Sequence, residues 1–181
     1  VQDRTVFCLS LCLCASVVQW LITRLLFISH RQRPVGPRAD VEKLDHCLSA
    51  LEVANGIEEG SIPVIVLITE TAEAMFHTGS YKGAPRVVAL TWGAEDLADS
   101  IGASSNRNPD GSYGFTYELA RSLTVLGAAT AGVLAIETIS ADFRDLEALR
   151  ARAEKVRRDG FRGMLAIHPA QVAPIHTAFS P

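Results

Sequence analysis

Short, continuous apolar runs that alternate with segments of helical periodicity are the feature that most constrains the fold of this chain. Four such runs occur, at residues 64–68, 87–92, 132–136 and 163–167. Runs of this length, rich in β-branched residues, are typical of strands buried on both faces of a parallel sheet. Apolar residues recur at helical spacing over residues 41–53, from residue 71 onward, and over 117–131 and 145–158. The alternation predicts an α/β fold.

The spacing of the predicted strands narrows the architecture further. Their ends fall near Leu67, Trp92, Ile136 and Ile167, which gives steps of 25, 44 and 31 residues. A (β/α)8 barrel of roughly 250 residues averages about 31 residues per unit, so two steps fit directly. The longest step implies a loop insertion, which residues 104–111 supply with Ser, Asn, Pro and Gly. We therefore predict a partial TIM barrel, about the last four βα units, in a domain covering residues 41–181.

Residues 1–40 differ from this pattern. No charged residue occurs from Thr5 to Thr23, and the apolar run continues to Ile28, which is long enough for a membrane span of about 20 residues. Four arginines follow Thr23, and they would place the rest of the chain on the cytoplasmic side. A signal peptide fits less well, because the run exceeds a usual apolar region and no clean cleavage site follows it. A segment foreign to the fold, a membrane anchor through residues 6–28 and a signal peptide all remain open.

The overall composition excludes two broad classes of protein. With 48% apolar and 20% charged residues and a net charge of -3, the chain is not typical of a disordered protein and has no electrostatic basis for binding nucleic acid. Three of its four cysteines lie in the N-terminal apolar run, and no second Cys or His pair completes a zinc site. We expect a cytoplasmic protein, or alternatively one anchored to a membrane through its N-terminal segment.

Acidic residues follow the first two predicted strands. Glu70 and Asp96 are 26 residues apart, about one βα unit. Neighbouring parallel strands lie about 4.8 Å apart, so two such carboxylates can share one hard cation such as Mg²⁺. A carboxylate after a strand is equally often a helix cap, and the spacing alone leaves both interpretations open.

Four segments resemble the signature blocks of a known family. They are ITETA at 68–72, LTWGAEDL at 90–97, DFRDL at 142–146 and DGFRGMLAIHPAQ at 159–171. In order and spacing they are similar to the citrate lyase β-subunit-like family of the HpcH/HpaI aldolase superfamily, from about Asp40 to Pro181. The resemblance implies a β/α barrel that binds Mg²⁺ and makes or breaks a C–C bond in acyl-CoA thioesters such as malyl-CoA, citramalyl-CoA or the citryl thioester.

The resemblance also implies roles for particular residues. Glu70 and Asp96 match the family's two metal-binding, catalytic carboxylates. The backbone of Gly93, Ala94 and Glu95 matches the loop that binds the carboxylate or keto-acid end of the substrate. The implied chemistry is chelation of the 2-oxo acid portion by Mg²⁺, or alternatively Mn²⁺, while the acetyl-thioester fragment leaves as an enolate. CoA enters as part of the substrate.

Four further side chains have two interpretations each. Glu95 is expected to contact solvent or a neighbouring group rather than the metal. His168 either lines the mouth of the site, as a weaker substrate-binding candidate, or caps the last strand. Arg107 either contacts a CoA phosphate or only solvent. Trp92 is expected to fill the barrel rather than stack on a ligand.

The sequence departs from the family pattern in ways that leave the activity open. Met164 and Glu137 stand where relatives usually carry Lys and Asp, and nothing in residues 1–40 matches the family's first four strands. One hypothesis is a Mg²⁺-dependent C–C lyase, with a malyl-CoA thioesterase as its nearest variant. The other is a catalytically silent fragment that only binds metal, with or without a membrane tether. The open edges of a half-barrel predict a homo-oligomer.

Overall fold

One sheet of six parallel strands organises the part of the chain that the structure describes. The computed structural model describes residues 9–10, 26–29 and 37–180. The strands are β1 (Leu9–Ser10), β2 (Leu26–Ser29), β3 (Val64–Leu67), β4 (Val87–Thr91), β5 (Leu134–Glu137) and β6 (Gly163–Ala166). Their spatial order is β1-β6-β5-β4-β3-β2. The first strand therefore pairs with the last, and β1 and β2 lie at the two opposite edges of the sheet.

Helices cover one face of the sheet, and those before β6 lie in the connections between β2 and β3, β4 and β5, and β5 and β6. They are α1 (Pro37–Ala54), α2 (Glu95–Ile101), α3 (Phe115–Ala131), α4 (Leu146–Arg158) and α5 (Val172–Phe179). Two short 3-10 helices, at Ala74–His77 and Pro169–Gln171, complete the described elements. The result is an α/β fold with a parallel, half-barrel sheet.

The two faces of the sheet carry separate apolar clusters, because successive residues of a strand point to opposite sides. Val66, Leu90 and Trp92 belong to the larger cluster, which also contains helix residues such as Tyr117 and Leu149. The smaller cluster takes one residue from each of four adjacent strands: Ile65, Ala89, Ile136 and Leu165. This arrangement, with helices on one face and a packed opposite face, is the layering of a β/α barrel.

The four predicted strands are confirmed, and each ends within one residue of its predicted position. Two further strands, β1 and β2, come from residues 1–40, where the sequence predicted none. Most of that segment lies outside the described residues, so its assignment as a separate unit stays a prediction. In the described part of the chain, no helix combines the length and apolar character that a membrane span requires.

The prediction of a helix from Thr71 onward is wrong. The structure places only the 3-10 turn Ala74–His77 there, and Phe76 on that turn is 87% exposed. Gly79, Gly83 and Pro85 interrupt the segment, and Gly83 adopts a positive φ of 69°, which ends helical continuity. The sequence also gave no sign of α2 and α5, whose 7 and 8 residues are too few to establish a helical period.

Candidate metal and substrate site

Strands β3 and β4 end at the same level of the sheet. Leu67 pairs with Thr91, and the Ile68 N–H donates to the Thr91 carbonyl oxygen at 3.0 Å. The segments that follow the two strands therefore emerge side by side at the carboxyl edge of the sheet. This edge is where β/α barrels build their sites.

The Thr69 side chain fastens these two segments together. Its hydroxyl oxygen accepts from the Gly93 N–H at 2.9 Å and donates to the Gly93 carbonyl oxygen at 3.2 Å. Thr69 is completely buried. We call this pair of hydrogen bonds the Thr69–Gly93 clamp. It holds the segment that carries Glu70 directly against the start of residues 93–96.

The two predicted metal-binding carboxylates both lie at this edge. Glu70 is only 5% exposed, and Asp96 is half-buried in the first turn of α2. Within residues 9–10, 26–29 and 37–180, no three His, Cys, Asp or Glu side chains form a group that could hold a metal. A cation here would therefore draw on two carboxylates and complete its shell with water or substrate oxygens. This donor set fits Mg²⁺, which usually keeps several waters beside one or two carboxylates.

The predicted substrate-binding backbone lies at the start of α2. Its N-cap residue is Ala94, which makes no side-chain capping hydrogen bond. The N–H group of Gly93 is already engaged by the Thr69–Gly93 clamp. Of the three predicted residues, Gly93 and Ala94 are buried and Glu95 is exposed. The N–H groups of Ala94 and Glu95 lack partners within the helix, because they belong to its first turn.

The side chain of Glu95 lies beside the inserted loop. It is exposed, and its Oε1 lies 3.4 Å from Nδ2 of Asn106 in the inserted loop. Within the same loop, the Arg107 guanidinium packs 4.1 Å above the Tyr113 ring and donates to the Gly111 carbonyl oxygen at 2.8 Å. These contacts orient Arg107 on its own loop.

Trp92 is fully buried, as predicted for a core side chain. Its indole Nε1 donates to Oε1 of Glu137 at 2.6 Å, and its ring meets the Tyr113 ring edge-on, with centroids 5.2 Å apart. Sequence reasoning noted Glu137 only as a departure from the family pattern and missed this contact. The available signal was an acidic residue ending an otherwise apolar strand.

Glu137 also forms a buried ion pair with Arg121. Its Oε2 accepts from Nε of Arg121 at 2.6 Å, and Arg121 also donates to Asp159 at 2.8 Å. Burial alone would lower the pKa of Arg121. The negative charges of Glu137 and Asp159, and the hydrogen bonds to them, outweigh burial and raise that pKa. Arg121 therefore stays charged, and so provides a permanent partner for the Glu137 carboxylate.

His168 acts as a cap in this structure. Its Nδ1 accepts from the Ala170 N–H at 3.2 Å at the start of the short helix Pro169–Gln171. Its ring stacks on Phe143 at 4.6 Å. Beside it, buried Gln171 accepts from the Ile167 N–H and donates to the Ser140 carbonyl oxygen, joining the segments that follow β6 and β5. These contacts make His168 the N-cap of that short helix, and its role as a weaker substrate-binding residue stays a prediction.

The parallel half-barrel sheet, with helices on one face and two carboxylates at its carboxyl edge, defines the chain as an α/β protein. Residues 34–169 match the model of the HpcH/HpaI aldolase/citrate lyase family. The chain belongs to this family, as the four sequence blocks had indicated.

Several curated proteins are similar to the chain. A citrate lyase subunit beta-like protein of Deinococcus radiodurans is 35% identical over 78% of this chain and 48% of its own length. An L-malyl-CoA/beta-methylmalyl-CoA lyase of Rhodobacter capsulatus is 32% identical over 81% of this chain and 50% of its own length. A (3S)-malyl-CoA thioesterase of Cereibacter sphaeroides is 34% identical over 62% of this chain and 38% of its own length. The chain thus spans about half the length of the curated relatives it matches.

Solved structures share the fold. A citrate lyase beta subunit of Mycobacterium tuberculosis, complexed with oxaloacetate and magnesium, is 33% identical with a TM-score of 0.61, over 74% of this chain and 58% of that one. The CitE protein of the same organism, in complex with magnesium, acetoacetate and coenzyme A, has a TM-score of 0.65 at 26% identity, over 96% of this chain and 60% of that one.

Proposed function

We propose that this chain carries the metal-binding and 2-oxo-acid-binding part of a Mg²⁺-dependent C–C lyase. Its substrates would be acyl-CoA thioesters of the malyl-CoA, citramalyl-CoA or citryl type. The observation that carries the proposal is the Thr69–Gly93 clamp, which brings Glu70 and the start of α2 together at the carboxyl edge of the sheet. Magnesium and 2-oxo or 3-oxo acids in the solved relatives support the same assignment.

In this proposal Glu70 and Asp96 hold the Mg²⁺ ion. Bound there, the ion would stabilise negative charge on the oxygens of the 2-oxo acid portion. Glu70 is almost fully shielded from water, so its charge acts through a lower effective dielectric than that of an exposed carboxylate.

The backbone at residues 93–95 orients the substrate. The N–H groups of Ala94 and Glu95 donate to the substrate carboxylate, while Thr69 keeps Gly93 fixed behind them. Fixed donors contribute to catalysis because they do not have to reorganise when charge develops. The exposed Glu95 side chain stays with Asn106 and leaves its backbone to the substrate.

Thioester hydrolysis is the second candidate function, favoured by the similarity to the (3S)-malyl-CoA thioesterase. The two reactions of malyl-CoA give different products. A lyase breaks the C–C bond and releases acetyl-CoA and glyoxylate, whereas a thioesterase adds water across the thioester and releases malate and CoA. A chain that binds metal but forms neither pair of products would be the catalytically silent form.

Metal binding and product analysis test the proposal together. We expect titration calorimetry to detect Mg²⁺ or Mn²⁺ binding that Glu70→Gln and Asp96→Asn each weaken at least about tenfold, because each removes a charged ligand. Turnover of malyl-CoA should fall in parallel.

The matched control is Glu154→Gln, which neutralises an exposed carboxylate paired with Arg150 on α4. It should bind the metal as the parent chain does. Unchanged metal affinity in both site variants would overturn the assignment of Glu70 and Asp96.

We also propose that the chain forms a homo-oligomer. Among the described elements β1 and β2 form the two sheet edges, and each pairs on one side only. Unpaired strand edges favour association with another chain. The cytoplasmic location stays a prediction.

A further inference from the structure

A buried carboxylate stands behind the proposed substrate-binding backbone, on the helix-covered side of the sheet. Glu137 is completely buried at the end of β5. Its Oε1 accepts from the Trp92 indole at 2.6 Å and from the Thr138 N–H at 2.9 Å, and its Oε2 accepts from Arg121 at 2.6 Å. Arg152 adds a second positive charge, with Nη2 3.8 Å from Oε1. Three hydrogen bonds and two positive charges thus engage the carboxylate.

Stability alone is a weak explanation for this arrangement. Burying an ion pair costs desolvation energy, and well-packed apolar residues often replace such pairs without loss. A buried carboxylate does provide directional acceptors, which an apolar side chain lacks. Its contacts therefore indicate that Glu137 orients the groups that donate hydrogen bonds to it.

The groups that Glu137 orients lead directly to the proposed site. Trp92 immediately precedes Gly93, and its ring also contacts Tyr113, which follows the inserted loop. The hydrogen bond to Glu137 and the contact with Tyr113 therefore hold the ring from two sides. Thr69 holds Gly93 from the segment after β3, so residues 92 and 93 are each fastened by a side chain from a different element.

We propose that Glu137 is a positioning residue that sets the backbone of residues 93–95 through Trp92. The consequence for substrate binding rests on the proposed function. The backbone effect itself does not, because it can be measured without substrate or metal. Arg121 and Arg152 lie beside the carboxylate and hold it in place against the indole.

Amide hydrogen exchange of the full chain tests this inference. A carboxamide has a single acceptor oxygen, so Glu137→Gln cannot serve Trp92 and Thr138 on one side and Arg121 on the other. We expect exchange at Gly93 and Ala94, whose N–H groups are protected by Thr69 and by burial, to accelerate at least about tenfold, the size of losing a hydrogen bond to a charged group. Glu154→Gln removes the same charge from an exposed pair and should leave these amides unchanged.

Amides of β3 provide the internal reference. Acceleration confined to residues 92–96 supports the inference, whereas equal acceleration in β3 means general destabilisation and overturns it. Trp92→Phe removes the indole donor, together with part of the buried ring, and leaves the Arg121 pair in place. If Glu137→Gln folds poorly, Trp92→Phe can be measured in its place, and we expect the same local acceleration. No local change in Trp92→Phe would also overturn the inference.

Oxaloacetate binding in the presence of Mg²⁺ separates this inference from the proposed function. If the parent chain binds oxaloacetate, Glu137→Gln should raise its dissociation constant about tenfold, in step with the local exchange. If the parent chain binds none, the proposed function fails while the exchange result still decides the role of Glu137. If amides after Trp92 exchange faster in Glu137→Gln but oxaloacetate binds as tightly as to the parent chain, the proposed link to the substrate is wrong.

Discussion

Helix α3 approaches its neighbouring segment so closely that one residue has no room for a side chain. A Cβ placed on Gly127 would lie 2.4 Å from the Thr78 carbonyl oxygen, which real Cβ atoms essentially never do. Helix propensity favours Ala over Gly by about 1 kcal/mol. Here the close backbone contact reverses that preference, because the Thr78 carbonyl cannot rotate away as a side chain would.

We expect Gly127→Ala to lower the free energy of unfolding by about 1–3 kcal/mol, the usual cost of overpacking. Chemical denaturation at neutral pH would measure it. Ser122→Ala, on the exposed face of the same helix, should lower stability little or raise it. A stabilised Gly127→Ala chain would mean that α3 can move away from Thr78.

At the scale of the element, α4 begins with a side-chain cap of a residue type that commonly precedes helices. Asp145 precedes the helix, and its Oδ1 accepts from the Ala148 N–H at 2.9 Å. Lys155, Arg157 and Arg158 lie in the last turn, where positive charge complements the helix dipole. The helix therefore has favourable charges and contacts at both ends.

Removal of the cap should cost about 1 kcal/mol, so Asp145→Ala is expected to lower the thermal midpoint by several degrees. Calorimetry would detect the shift. Asp145→Asn retains an acceptor at the same position and should keep most of the stability. Equal loss in the two variants would show that charge, rather than the cap hydrogen bond, stabilises this end of α4.

The elements themselves differed in how far they could be predicted. The strands were predictable because a buried parallel strand needs a short apolar run on both faces, which residues 64–68 and 87–92 display. The helix expected from Thr71 was not formed, because local periodicity competes there with two glycines and a proline. Periodicity could not reveal α2, since seven residues make barely two turns.

At the scale of the whole molecule, a buried ion pair at the opposite end of the sheet joins α1 to β4. Glu52 is completely buried, and its carboxylate accepts from Arg86 at 2.7 Å and from the Gly60 and Ile62 N–H groups. Arg86 also pairs with Asp45 and adopts a positive φ of 61°. The Arg86 hydrogen bond, with the two backbone donors, lowers the pKa of Glu52 from 4.5 to about 2 against the opposing effect of burial.

This lowered pKa makes global stability depend on pH. A carboxylate whose pKa is lower in the folded chain contributes stability that is complete above its unfolded value of 4.5 and is lost as the pH falls toward about 2. Denaturation series between pH 6 and pH 2 should therefore show a steeper decline for the parent chain than for Glu52→Gln. Glu58→Gln, on an exposed side chain, should follow the parent. Identical slopes in the parent and Glu52→Gln would exclude Glu52 as the source.

By itself, the sequence determined the parallel α/β pattern, the family, and the placement of Glu70 and Gly93–Asp96 after successive strands, because these follow from local periodicity and order along the chain. Only the tertiary structure decided how those segments are held. Thr69 and Gly93 are 24 residues apart, and Trp92 and Glu137 are 45 apart. Their hydrogen bonds depend on strand register and side-chain direction, which exist only once the sheet has formed. The same holds for β1, whose two residues gain a strand's hydrogen bonds only beside β6.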